Sequence, residues 1–90
     1  MKISSKKREK ISEQILAHLF SIFPKAVFTS NIAQEIARDE EFVKNLLLEL
    51  KSRKFVIEIK KNAQGADYIR RSRWNLTDEV HQRYKEKQNF

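Results

Sequence analysis

The sequence predicts an α+β domain in the order helix, strand, helix, helix, strand, strand, helix: a three-helix core, a β-hairpin and a C-terminal helix. Three observations lead there. Apolar residues recur with the 3.6-residue period of a helix up to about residue 53, and from Phe55 onward the period drops to two. Helices two and three are joined by only about three residues, which is helix-turn-helix spacing. A polar turn, Asn62-Ala63-Gln64-Gly65, then breaks the alternating stretch, and Gly65 suits a positive φ there.

Residues 6–23 read as the first helix, with Ile11, Ile15, Leu16, Leu19, Phe20, Ile22 and Phe23 spread over about half its circumference. Pro24 ends it. Ala26-Val27-Phe28 is too short for a helix and suits one strand of a small sheet. Thr29 is placed to cap helix two, whose close-packing face is Ile32, Ala33, Ile36 and Ala37. Asp39 is placed to cap helix three over 40–53, where Val43, Leu46, Leu47 and Leu50 keep the i, i+3, i+4, i+7 rule.

In the first hairpin strand, alternation puts Phe55, Ile57 and Ile59 on one face and Val56, Glu58 and Lys60 on the other. The return strand runs from Tyr68 to Leu76, with Tyr68, Trp74 and Leu76 together. Thr77 caps the last helix, which starts with Asp78 and Glu79 and ends with Lys85 and Lys87, so both ends complement the helix dipole. The core predicted from these periods is Ile15, Leu19, Ile32, Ile36, Val43, Leu47, Leu50, Ile57, Trp74 and Leu76.

Ninety residues suit one domain, 1–90, with a basic N-terminal arm over 1–10, the hairpin over 55–76 and the last helix over 78–88. A chain this short buries only about two-thirds of its unfolded surface, which leaves little room for a deep catalytic cleft. Its formal charge of +7 attracts polyanions. No apolar run approaches the roughly 20 residues of a membrane span, and Ser12, Glu13, Gln14 and His18 interrupt any signal-peptide core after Lys6-Lys7-Arg8. The absence of cysteine removes disulfides, thiol catalysis and thiolate metal sites, and fits a cytoplasmic protein.

Residues 11–80 resemble the winged helix-turn-helix regulators of bacteria, archaea and their viruses. The resemblance is carried by Phe28-Thr29-Ser30-Asn31-Ile32-Ala33, by Val43 through Leu50 followed by Phe55-Val56, and by Trp74-Asn75-Leu76-Thr77-Asp78-Glu79. The last piece is similar to the strand-to-helix ending of MarR-like and PadR-like groups. The resemblance implies that helix three enters the major groove of DNA and that the hairpin forms a wing beside it. Two positions depart from the pattern: Lys54 stands where a glycine is usual before the wing strand, and Val80 where one is usual after the Leu76-Thr77-Asp78-Glu79 stretch. A left-handed residue at Lys54 would be strained.

Basic residues gather at the N-terminus (Lys2, Lys6, Lys7, Arg8, Lys10), in the wing (Lys60, Lys61, Arg70, Arg71, Arg73) and in the tail (Arg83, Lys85, Lys87). A basic hairpin around a small polar turn suits phosphate contact or minor-groove insertion. It also suits an ordinary solvated hairpin whose charges prevent edge aggregation. On helix three the face away from the leucines presents Glu41, Lys44, Asn45, Leu48 and Ser52, with Lys51 at its side. Asn can pair with adenine, Lys can reach guanine or phosphate, and Leu can touch a thymine methyl, although the same pattern describes any amphipathic surface. Ser30 and Asn31 are candidate phosphate contacts at the start of helix two. Against DNA stand Asp39, Glu40 and Glu41, which put negative charge where such helices approach phosphates.

The wide apolar arc of helix one has two explanations. The preferred one is a homodimer interface in which Leu16, Phe20 and Phe23 meet Val80 and Tyr84 of the last helix and Phe90 beyond it; the other is burial by that helix within one subunit. No enzyme reading gains support. His18 and His81 lie far apart, no His-Glu-x-x-His occurs, and a single glycine excludes the phosphate-binding loop and the dinucleotide fingerprint. No cofactor, metal or small-molecule pocket is indicated. The leading function is therefore a DNA-binding transcriptional regulator. The alternative is a winged-helix adaptor in a larger assembly, favoured by the acidic start of helix three and by Leu48. Structured RNA ranks third, because few aromatics besides Tyr68 are predicted to be exposed for stacking.

Overall fold

The structure, a computed structural model, describes residues 5–60 and 71–88. Its elements follow the predicted order: α1 (Ser5–Ile22), β1 (Val27–Phe28), α2 (Thr29–Glu35), α3 (Glu40–Ser52), β2 (Val56–Ile59), β3 (Arg73–Leu76) and α4 (Asp78–Gln88). The turn at 62–65, Tyr68, Lys2 and Phe90 lie outside the described residues. No helix among the described residues is long and apolar enough to cross a membrane.

The strands form one antiparallel sheet in the order β1-β3-β2, so β3 is the central strand and β1 widens the hairpin to three strands. The core lies between this sheet and the helices. Ile15, Leu19, Ile32, Val43, Leu47 and Trp74 are fully buried, and Ile11, Leu16, Leu46, Leu50, Val56 and Leu76 nearly so. Ile36 is half-buried and packs on this cluster from its edge.

One predicted phase is wrong. Ile57 is 44% exposed, while Val56 is buried at 2%. Residues paired across the sheet share a face, and the register pairs Val56 with Leu76 and Glu58 with Trp74. The inward set of β2 is therefore Val56 and Glu58, not Phe55, Ile57 and Ile59. The cause lies at the end of α3. Phe55 N–H still donates to the Leu50 carbonyl at 2.9 Å and Lys54 N–H to the Lys51 carbonyl at 3.0 Å. These two bonds make a Schellman close, so Phe55 belongs to the helix cap and the strand takes its phase from Val56. One step of register moves every side chain to the other face.

Lys54 has φ 66°, the left-handed conformation that the missing glycine implied. The same close ends α2: Arg38 N–H donates to Ala33 O at 3.0 Å and Ala37 N–H to Gln34 O at 3.3 Å. There Ala37 holds φ 56°.

Two predicted caps are present and one is not. Asp39 accepts from Phe42 N–H at 3.1 Å at the start of α3, and Thr77 Oγ1 accepts from Val80 N–H at 3.3 Å at the start of α4. Thr29 makes no side-chain cap on α2. It is buried, and its hydroxyl instead accepts from the Trp74 indole N–H at 2.7 Å. A capping geometry would leave that indole N–H without a partner inside the core, which is the costlier arrangement.

Residues 5–10 of the expected basic arm belong to α1. There Arg8 forms an ion pair with Glu49 of α3 and lies 5.8 Å from the centroid of the Phe42 ring. The wide arc of α1 meets α4 within the chain. The Phe23 and His81 rings stack at 3.8 Å, and Phe20 lies 5.5 Å from Tyr84. Leu16 is 6% and Val80 9% exposed. The premise that Leu16 needs a second subunit to cover it does not hold.

Candidate nucleic-acid interface

The leucine seam of α3 buries Val43, Leu46, Leu47 and Leu50, which turns Lys44, Asn45, Leu48 and Ser52 outward. Leu48 is 41% exposed, high for a large apolar side chain. Ser52 donates its hydroxyl back to Glu49 O at 2.7 Å, leaving only its acceptor lone pairs to face outward. Asp39 is occupied in part by capping α3, so one of the three carboxylates at that end has a local role. Glu40 and Glu41 remain exposed there.

At the base of the wing the structure joins two candidate residues 41 positions apart. Arg71 is exposed, and its guanidinium donates to Ser30 Oγ at 3.3 Å while lying 4.3 Å from the Phe28 ring centroid. The aromatic face holds the planar cation in place with donors still available to solvent. Asn31 is exposed one residue further along α2, and Lys60 is exposed just past β2. Arg73 differs: it is half-buried in the central strand, opposite Phe28 and Ile59. It is part of the sheet more than of a solvent-facing wing. Lys61 and Arg70 lie outside the described residues.

Lys51 has a partner within the protein. Its ammonium donates to Glu58 Oε1 at 2.9 Å, and the other carboxylate oxygen accepts from the Ser72 hydroxyl. The Glu58 side chain is only 7% exposed, against 49% for Lys51. Burial pushes the Glu58 carboxyl upward, but the bonds from Lys51 and Ser72 and the charges of Lys51 and Lys60 outweigh it and hold the group below its usual 4.5. Sequence reasoning missed Glu58 because the assumed strand phase turned it to solvent. The signal was available once the strand is counted from Val56.

Among the described residues no cluster of three or more metal-ligating side chains occurs. An open groove of about 1200 Å³ runs between α1, the end of α3 and α4, floored by Leu16, Leu50, Phe55, Val80 and Tyr84. Nothing in the sequence pointed to it.

The fold is shared with solved winged-helix structures. S. aureus MepR in complex with DNA is similar at TM-score 0.74 and 21% identity, over 92% of this chain and 65% of that one. The PcaV transcriptional regulator of Streptomyces coelicolor, solved with its natural ligand, gives TM-score 0.61 and 20% identity over 93% of this chain and 54% of that one. A mutant of ZitR from Lactococcus lactis gives 0.62 and 17% over 98% and 52%. The chain thus spans roughly half to two-thirds of these structures' lengths. No protein-family model and no curated protein matches the sequence. The likeness establishes the fold as a winged helix.

Proposed function

We propose that this chain binds double-stranded DNA as a transcriptional regulator, with α3 in the major groove and the basic wing on the phosphates or in the minor groove. The observation that carries the reading is the Arg71–Ser30 contact. It joins the wing base to the start of α2 and holds an exposed guanidinium against Phe28. The formal charge of +7 and the outward face of Lys44, Asn45 and Leu48 on α3 agree with it. So does the fold, because MepR shares it and has been solved with DNA. The acidic pair Glu40 and Glu41 then sits at the rim of the groove and disfavours approach of that end of α3 to phosphate. A cytoplasmic location fits a regulator that works on DNA. Nothing in the reading calls for catalysis.

Homodimerisation would draw on the part of Phe20, Phe23 and Tyr84 that packing within the chain leaves uncovered, rather than on Leu16 and Val80, which the chain covers itself. A second function, a protein-interaction adaptor, draws on the acidic start of α3 and on Leu48, a large apolar side chain left exposed there. Fluorescence anisotropy with promoter-derived and random duplexes at two salt concentrations separates the two. The DNA reading expects binding that weakens with salt. A protein with no salt-dependent affinity for any duplex sinks the DNA reading and leaves the adaptor as the leading one.

A further inference from the structure

We infer that Glu58 acts as a positioning residue which keeps Lys51 off the DNA backbone and ties the wing to α3; the inference rests on the duplex-binding reading. Three elements meet at this carboxylate. Lys51 comes from the last turn of α3, Glu58 projects from the inward face of β2 opposite Trp74, and Ser72 immediately precedes β3. Both carboxylate oxygens are occupied, one by the Lys51 ammonium and the other by the Ser72 hydroxyl. A carboxylate this enclosed is costly without partners, so release of Lys51 to a phosphate would leave Glu58 short of its cation. Lys51 therefore stays with Glu58 when the helix meets a phosphate, although half of its side chain faces solvent. A phosphate contact adds affinity for every sequence alike, so withholding one leaves binding to Lys44, Asn45, Arg71 and their neighbours. The same bonds fix the start of the wing relative to α3, whose relative placement decides whether both fit one duplex.

The test is the salt dependence of duplex affinity for the full chain and three variants: Glu58→Gln, Lys51→Met and the double variant. The amide introduced by Glu58→Gln would keep the shape and the Ser72 contact but lose the charge that retains Lys51. Glu58→Gln is expected to steepen the log–log salt slope by about 0.9, the value of one added phosphate contact. Lys51→Met should keep the wild-type slope, and the double variant should return to it. A purely structural role would shift stability or overall affinity without this pattern. A Lys51→Met slope shallower by about 0.9 shows Lys51 already on a phosphate and overturns the inference, as does an unchanged slope for Glu58→Gln. If Glu58→Gln fails to fold by circular dichroism, the Lys51→Met slope alone decides. Wild-type protein without salt-dependent binding instead overturns the DNA reading itself, and this inference with it.

Discussion

The Trp74 indole N–H donates to Thr29 Oγ1 at 2.7 Å, joining the central strand to the first residue of α2 across 45 positions of sequence. Trp74 is fully buried and Thr29 is 9% exposed, so no solvent competes for the bond. Thr29→Val keeps the shape and removes the acceptor, leaving a buried donor unmatched at about 1–3 kcal/mol. Thr29→Ser should recover most of that loss. The cycle of Thr29→Val with Trp74→Phe in urea denaturation should be non-additive, because either change alone breaks the same bond. Additive losses would mean that the hydroxyl works independently of the indole.

The corrected phase of β2 gives a second expectation. Leu47, fully buried in α3, should cost about 2–5 kcal/mol on change to Ala. Ile57→Ala should stay within about 0.5 kcal/mol, as exposed positions do, and Val56→Ala should cost clearly more. The comparison is made by chemical denaturation of the three variants. A larger loss at Ile57 than at Val56 would restore the phase that the sequence suggested.

That pair also shows where the sequence is readable and where it is not. The helices carry their own periodicity: Val43, Leu46, Leu47 and Leu50 are all buried, as their spacing requires. Asp39 and Thr77 carry their capping roles in local sequence. β2 is only four residues long and holds apolar side chains on both faces, so its phase depends on where the α3 cap ends. The roles of Thr29 and Glu58 depend on partners 45 and 14 positions away, Trp74 and Ser72, and no local pattern encodes those contacts. The candidate site divides the same way. The outward residues of α3 follow from helix geometry, whereas the Arg71–Ser30 contact and the enclosure of Lys51 follow only from the tertiary fold.

Lys54 and Ala37 each occupy a left-handed helix close without being glycine. A side chain with Cβ in that conformation costs about 1–2 kcal/mol, partly offset in any glycine variant by the added freedom of the unfolded chain. Lys54→Gly and Ala37→Gly should therefore each stabilise the protein on the order of 1 kcal/mol or less. Gln34→Gly, within α2, should destabilise it by a similar amount. Differential scanning fluorimetry reads all three. A lower melting temperature for both close variants would show that the strain is relieved in some other way.

The depressed Glu58 carboxyl makes a prediction in acid. Its folded value lies below the ordinary 4.5, so the unfolded chain binds the proton more readily. The stabilisation is thus complete above about pH 4.5 and is lost as pH falls through the lower folded value. Glu58→Gln should be less stable than wild type at pH 7, and the gap should close in urea titrations carried toward pH 3. A gap of constant size across that range would assign the effect to packing and not to the charge.

The mechanism itself separates the wing from α3. Arg71 is exposed at the wing base and is our proposed phosphate ligand, since its neighbours Ser30 and Phe28 fix the guanidinium without burying it. Each phosphate contact releases counterions, so Arg71→Ala should flatten the log–log salt slope by about 0.9. It should weaken specific and scrambled duplexes alike. Arg73→Ala should act differently from its neighbour, lowering stability first, because Arg73 is half-buried in the central strand. Asn45, exposed on α3, is expected to pair with a base edge. Asn45→Ala should then remove about 1–3 kcal/mol of discrimination between preferred and scrambled sequences while leaving the salt slope unchanged. Anisotropy titrations of both variants on both duplexes across a salt series distinguish these signatures. Should Asn45→Ala weaken both duplexes equally, α3 meets the backbone and not the bases, and sequence selection then falls to the wing.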